Sequence, residues 1–226
     1  MQLFPTFPGL AIPGTNIQRF FITCRQPLAI LISRKADLYM RTRMLRDHPR
    51  IVVVGTSGSG KTTFARQLAG LLNRTHIELD ALHWGPNWTV RAEFPELVSI
   101  AVGANEWVVD GNYRVVRDQV WGRATAIVWL NYPFRVVFYR ALARTVRRLV
   151  SRELLYAGNR ESFSGAFLER DGIPWWVIRT YRSRRREYPV ILSQQCFQHL
   201  ELFELTSHEQ AVMLLHSEVA LTRRCG

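Results

Sequence analysis

The chain has very little lysine. Of its 30 basic residues only Lys35 and Lys61 are lysines, which leaves 28 arginines. Cysteine is scarce too. Cys24, Cys196 and Cys225 are odd in number, widely separated and form no C-x-x-C pair. That excludes a disulfide framework and a cysteine-built zinc site, and fits a reducing compartment, so a cytoplasmic location is expected. Acidic residues number 18, which leaves a net charge of +12. No apolar run approaches the length of a membrane span. The longest near the N-terminus, Leu28–Ile32, is too short for a secretory core, so no membrane partner is expected. Internal repeats and long low-complexity tracts are absent as well.

The positive charge is unevenly placed. Residues 1–50 carry 8 basic and 2 acidic side chains, a balance of +6. Residues 51–134 carry 7 of each and are neutral. Residues 135–186 carry 13 and 4, or +9, and residues 187–226 carry 2 and 5, or −3. A protein that coats nucleic acid spreads or repeats its charge. One cationic block beside a neutral segment also suits a small polyanionic substrate.

The neutral segment opens with IVVVGTSGSGKTT. Gly55, Thr56, Ser57, Gly58, Ser59, Gly60, Lys61 and Thr62 match G-x-x-x-x-G-K-[ST] at every fixed position. The context is the one this pattern needs. Ile51–Val54 is a short β-branched run suited to a buried parallel strand. Phe64, Leu68, Leu71 and Leu72 then recur on one helical face. The glycines let backbone N–H groups curl around phosphate oxygens, and the helix presents its positive end to the same anion. Lys61 would reach the terminal phosphates, the Thr62 hydroxyl would bind Mg²⁺, and Thr63 closes the cradle. A lysine at this position, in a chain that uses arginine almost everywhere else, fits the compact charge the loop requires. ATP and Mg²⁺ are the ligands expected.

From Ile51 the pattern alternates. Strands are expected at 51–54, 75–79, 107–109, 125–130 and 200–205. Helices are expected over 61–72, the second half of 81–105, 134–151, from Pro174 to about 186, and after a Ser207/Gln210 capping box. Residues 152–172 read as an irregular, lid-like segment. The expected fold is α/β, a five-stranded parallel sheet covered by helices on both faces, with ligands at the carboxyl ends of the strands. The domain is expected over 51–217, with a tail at 218–226. Residues 1–50, with Pro5, Pro8, Pro13, Pro27 and Pro49 and no period, read as a poorly ordered extension, and Met40 and Met44 offer internal starts.

Several further residues are candidates for the chemistry. Asp110, ending the third strand before Gly111, suits a magnesium shell, against an ordinary Asx turn. Asp80, ending the second strand, could take a proton from a substrate hydroxyl, or simply cap a turn. Arg140, Arg144 and Arg148 share one helical stripe, and with Arg160 they would clamp phosphates rather than form a solvated face. In the run Arg182–Arg186, Arg182 is the expected inward member. His83 and Trp84, with Trp88, could stack on a ring, or belong to the core.

The stretch 51–217, about three quarters of the chain, resembles in these residues the nucleoside and nucleotide kinases of the adenylate-kinase type. LDALHWGPNW, WVVDGNY, VWLNYP and ELLYAGNRE resemble more narrowly the adenylate-kinase-like group labelled "DNA topology modulation protein". The resemblance implies that Asp110-Gly111 and Arg114 serve the acceptor side, with Arg114 on its phosphate. It also implies that Arg140 lies over the adenine and Arg144 roots the lid. Asn131 stands where that narrower group would have an acid. Asp80 resembles instead the strand-ending acid of uridine and shikimate kinases.

The expected activity is transfer of the ATP γ-phosphoryl group to a nucleotide or a nucleoside-like acceptor, with the Arg114 spacing tipping the expectation toward a nucleotide. The alternatives are a nucleic-acid-associated NTPase, not favoured by the charge pattern, and a non-catalytic ATP-binding regulator.

Overall fold

A computed structural model describes residues 44–161 and 172–222. Most of the N-terminal extension, the centre of the lid-like segment and the last four residues lie outside the described residues.

Five parallel strands form one sheet in the order β2-β3-β1-β4-β5. They are β1 (Arg50–Gly55), β2 (Thr75–Glu78), β3 (Trp107–Asp110), β4 (Ala126–Leu130) and β5 (Glu201–Leu205). Central strands β1, β3 and β4 are buried along nearly their whole length, as their unbroken apolar runs require. Strand β1 pairs with β3 on one side and β4 on the other. Chain connections therefore diverge at its carboxyl end, which opens a crevice there.

The helices are α1 (Lys61–Leu72), α2 (Leu79–His83), α3 (Phe94–Ala101), α4 (Arg117–Arg123), α5 (Phe134–Ser151), α6 (Ile173–Leu192) and α7 (His208–Thr222). Side chains alternate along each strand, so the sheet has two cores. Val52, Val54, Ile77, Val109, Ile127 and Trp129 share one cluster with Phe94 and Val98 of α3, Val120 and Trp121 of α4, and Tyr188 of α6. Ile51, Val53, Val108 and Val128 face the other way, where α1 packs across β1, β2 and β3 and also meets α7.

The compact unit starts at Met44, earlier than the hydrophobic pattern suggests. Leu45 is fully buried. Its N–H donates to the buried Glu218 carboxylate at 2.7 Å. Arg74 donates to the carbonyls of Leu45 (3.4 Å), Arg46 (2.7 Å) and His48. These are polar ties between distant segments, which hydrophobic periodicity does not register.

Four details differ from the expected pattern. Strand β2 ends at Glu78, and Asp80 lies in α2 rather than at a strand end. Leu79, Ala81 and Leu82 are good helix formers, and one turn forms as the chain leaves the sheet. Helix α6 runs past residue 186 to Leu192 and carries Pro189 inside it. Helix α4 was not legible, because seven residues give too short a period. The Ser207/Gln210 box forms with a shift. Ser207 Oγ takes the Gln210 N–H at 3.3 Å, while Gln210 Oε1 takes the N–H of Thr206 at 2.7 Å.

Candidate active site

The crevice at the end of β1 is a cleft of about 1870 Å³. Loop residues 57–60 line its floor. Gly58 and Gly60 have φ of 86° and 88°, the left-handed region that glycine enters without strain. Gly58 also lies so close to α5 that a Cβ would strike the backbone of Val137 and the side chain of Ala141. Among the described residues, no acceptor takes the N–H groups of Gly58, Gly60, Lys61 or Thr62. The Ser59 hydroxyl is likewise buried without a partner. The unpaired N–H groups at the start of α1 are donors that an anion can take.

Three cations surround the loop. Lys61 Nζ donates to the Thr56 carbonyl at 3.2 Å. Arg144 of α5 donates to Ser57 Oγ at 3.0 Å. Arg184 of α6 donates to the Gly55 carbonyl at 3.1 Å. Burial brings the Lys61 ammonium down from its usual range to about 8; Arg184 and Arg144 add to this, and Asp80 and Asp110 oppose it. Burial also lowers Arg144, with Arg148 adding to the effect. Positive charge held out of water in this way gains when a polyphosphate enters.

Beside the loop, the Asp110 carboxylate is only 3% exposed. It accepts the Thr62 hydroxyl at 2.6 Å and meets His76 Nε2 at 2.9 Å. One carboxylate and one hydroxyl, next to a phosphate cradle, fit Mg²⁺, which takes few protein ligands and completes its shell with phosphate and water. No group of three or more His, Cys, Asp or Glu side chains that could hold a metal occurs among the described residues.

The far end of the cleft is aromatic and acidic. Asp80, His83, Trp84, Trp88 and Tyr113 line it. Tyr113 Oη donates to Asp80 Oδ1 at 2.6 Å. Burial and the Asp80 charge push the Tyr113 hydroxyl far above its usual range, so it remains a donor. The His83 ring packs 4.3 Å from Tyr113, 4.6 Å from Trp84 and 4.7 Å from Phe94, centroid to centroid. Burial, opposed by Asp80, lowers its pKa. Trp84 and Trp88 meet edge to face at 5.6 Å.

Not every candidate from the sequence sits on the chemistry. Gly111 and Arg114 line the cleft, with Arg114 at its rim, exposed and paired to Glu187 at 2.6 Å. Arg140 lies 5.7 Å from the Tyr132 ring centroid and also lines it. Thr63 is a lining residue as well. Arg148 pairs with Glu161 at 3.1 Å. The Arg160 side chain is exposed and is not among the lining residues; its carbonyl takes the Trp88 indole N–H at 3.2 Å. Arg182 is exposed, and Arg184 is the inward member of its run. Asn131 is a tie between strands: its amide donates to Glu204 at 2.6 Å and its N–H to the Leu205 carbonyl at 2.8 Å.

Four residues were missed: Arg184, His76, Tyr113 and Asn159. Arg184 had a readable signal. Val177, Tyr181 and Tyr188 are the buried residues of α6, and position 184 continues their spacing.

No protein-family model matches the chain. A stretch of 123 residues, 53% of the chain, is 28% identical to the uncharacterized protein YqaC of Bacillus subtilis and covers 68% of it. Among solved structures, the chain is similar to a shikimate kinase from Acinetobacter baumannii bound to shikimate. The TM-score is 0.49 at 18% identity, over 78% of this chain and 93% of that one. A gluconokinase from Sinorhizobium meliloti 1021 gives 0.44 at 18% identity, over 81% of this chain and 95% of that one. A shikimate kinase from Bacteroides thetaiotaomicron gives 0.46 at 17% identity, over 78% and 99%. These neighbours are small-molecule kinases. With every TM-score below 0.5, the fold assignment rests on the strand order and the phosphate loop. No helix among the described residues is long and apolar enough to cross a membrane.

Proposed function

We propose that the chain is an ATP-dependent phosphotransferase whose acceptor is a small molecule with a hydroxyl group. The observation that carries this reading is Asp80, a carboxylate across the cleft from the phosphate loop. It lines the same cleft as Lys61 and is held by a hydroxyl that only donates to it.

In this reading the unpaired N–H groups of the loop take the ATP phosphates, and Lys61, Arg144 and Arg184 gather around the terminal one. Thr62 and Asp110 would hold Mg²⁺, which when bound neutralises charge on the phosphate oxygens. The acceptor oxygen attacks the γ-phosphorus as the bond to the bridging oxygen of ADP breaks. Its proton passes to the Asp80 oxygen not used by Tyr113. ADP leaves with the bridging oxygen. Positioning and charge neutralisation supply most of the rate, and the base contributes about 10²–10⁴-fold.

The sequence tips toward a nucleotide acceptor. The geometry favours a hydroxyl. A phosphate is already an anion and would meet the Asp80 carboxylate, while Arg114, its expected partner, is held at the rim by Glu187. A nucleoside-like alcohol remains within the class. The turning of Arg144, Arg148 and Arg184 into the cleft supports a small substrate over a nucleic-acid backbone.

Asp80→Asn tests this. It keeps shape and can still accept from Tyr113, but removes the base. Phosphoryl transfer to the acceptor should fall at least a hundredfold with ATP affinity within a few-fold. Unchanged transfer would rule out the hydroxyl reading.

A further inference from the structure

The aromatic end of the cleft is held only in part by its own segment. Residues 85–89 make a tight reversal in which Gly85 N–H donates to the Thr89 carbonyl at 2.8 Å and Thr89 N–H to the Pro86 carbonyl at 3.2 Å. Within it, Asn87 and Trp88 both have left-handed backbones, with φ of 53° and 57°. Two consecutive non-glycine residues in that region are unfavourable and need outside support.

The support comes from the segment after α5. Asn159 is 7% exposed. Its Nδ2 donates to the Gly85 carbonyl at 2.8 Å, and its Oδ1 accepts the Trp88 N–H at 3.2 Å. The amide thus bonds a carbonyl and an N–H on either side of the reversal, as a paired strand would. The Asn159 backbone is itself fixed, with its carbonyl accepting from Leu155 N–H at 2.7 Å and its N–H donating to Tyr156 at 3.1 Å. Two further bonds follow the same path: the Trp88 indole to the Arg160 carbonyl, and the Tyr156 hydroxyl to Glu78.

We propose that Asn159 is a positioning residue for the acceptor: it fixes Trp88, and through Trp88 the indole of Trp84, at the acceptor end of the cleft. Asn159 itself does not line the cleft and acts only through that wall. The proposal rests on the kinase reading, which it deepens by naming what shapes the acceptor subsite.

The test is hydrogen exchange and fluorescence on the full chain. Asn159→Ala should speed amide exchange over residues 85–90 at least tenfold, the loss of one to two hydrogen bonds. Exchange in β1 and β3 should stay within twofold. Acrylamide quenching of tryptophan emission should rise in Asn159→Ala but not when Asn159→Ala is added to Trp88→Phe, which isolates the indole concerned. Asn159→Asp keeps the acceptor for the Trp88 N–H and should fall between wild type and Ala. Unchanged exchange over 85–90, or an increase spread equally over the sheet, overturns the proposal. ATP affinity, measured alongside by calorimetry, should hold. Absence of ATP binding in wild type would sink the kinase reading and the acceptor role with it, whereas unchanged exchange beside intact ATP binding would sink this proposal alone.

Discussion

The lowered Lys61 pKa makes ATP affinity depend on pH in a predictable way. Burial and two guanidinium neighbours bring the ammonium down to about 8. Phosphate oxygens bind its charged form. At pH 7 about nine-tenths of the lysine is charged, and at pH 9 about one-tenth. Affinity should therefore fall about tenfold from pH 7 to 9, about 1.4 kcal/mol. At pH 8 each binding event should take up about half a proton. The ATP terminal phosphate titrates near 6 and lies outside this window. The assay is calorimetry with ATP in chelator, so no cation contributes, in buffers of different ionisation heat. Lys61→Arg stays charged throughout and should flatten the profile. The same shift acts on stability. The folded pKa lies below the unfolded value of about 10.5, so the folded state binds fewer protons between pH 8 and 10.5. Stability therefore rises with pH across that interval. An ATP dissociation constant constant within twofold from pH 7 to 9, or a slope that persists in Lys61→Arg, would refute the reasoning.

Two other substitutions probe separate parts of the structure. Asp110→Asn should leave ATP binding in chelator within about threefold while lowering Mg²⁺-dependent turnover about a hundredfold or more; equal losses in both would mean that Asp110 serves the fold. Arg74→Ala should cost about 2–3 kcal/mol in urea unfolding, because the carbonyls of Leu45, Arg46 and His48 lose their donor together; a change under about 0.5 kcal/mol would show that water replaces it freely.

The loop was legible because its chemistry is local: every residue of the cradle lies within eight positions, between a β-branched run and a helical stripe. Asp110 was legible as a strand end. Asp80 was picked out for its type and place, though helix formers around it move it from the strand into a helix. What escaped the sequence are contacts across long separations. Tyr113 reaches Asp80 over 33 positions, His76 reaches Asp110 over 34, and Asn159 reaches Gly85 over 74. No periodicity encodes such pairs. Arg184 is different, since helical phase alone distinguishes it from Arg182 once the buried stripe of α6 is known. Arg160 was chosen for its charge near a glycine, but in that segment the backbone and the Asn159 amide make the contacts.

The central claim is that this cleft moves a phosphoryl group onto a hydroxyl. The direct measurement is transfer of label from [γ-³²P]ATP to a panel of nucleosides, nucleoside monophosphates, sugars and small hydroxy acids. Wild type, Lys61→Ala and Asp80→Asn should be compared. The account predicts a labelled product from a hydroxyl acceptor with wild type, none with Lys61→Ala, and at least a hundredfold less with Asp80→Asn. Label appearing on a nucleoside monophosphate's phosphate, at a rate that Asp80→Asn leaves unchanged, would contradict it.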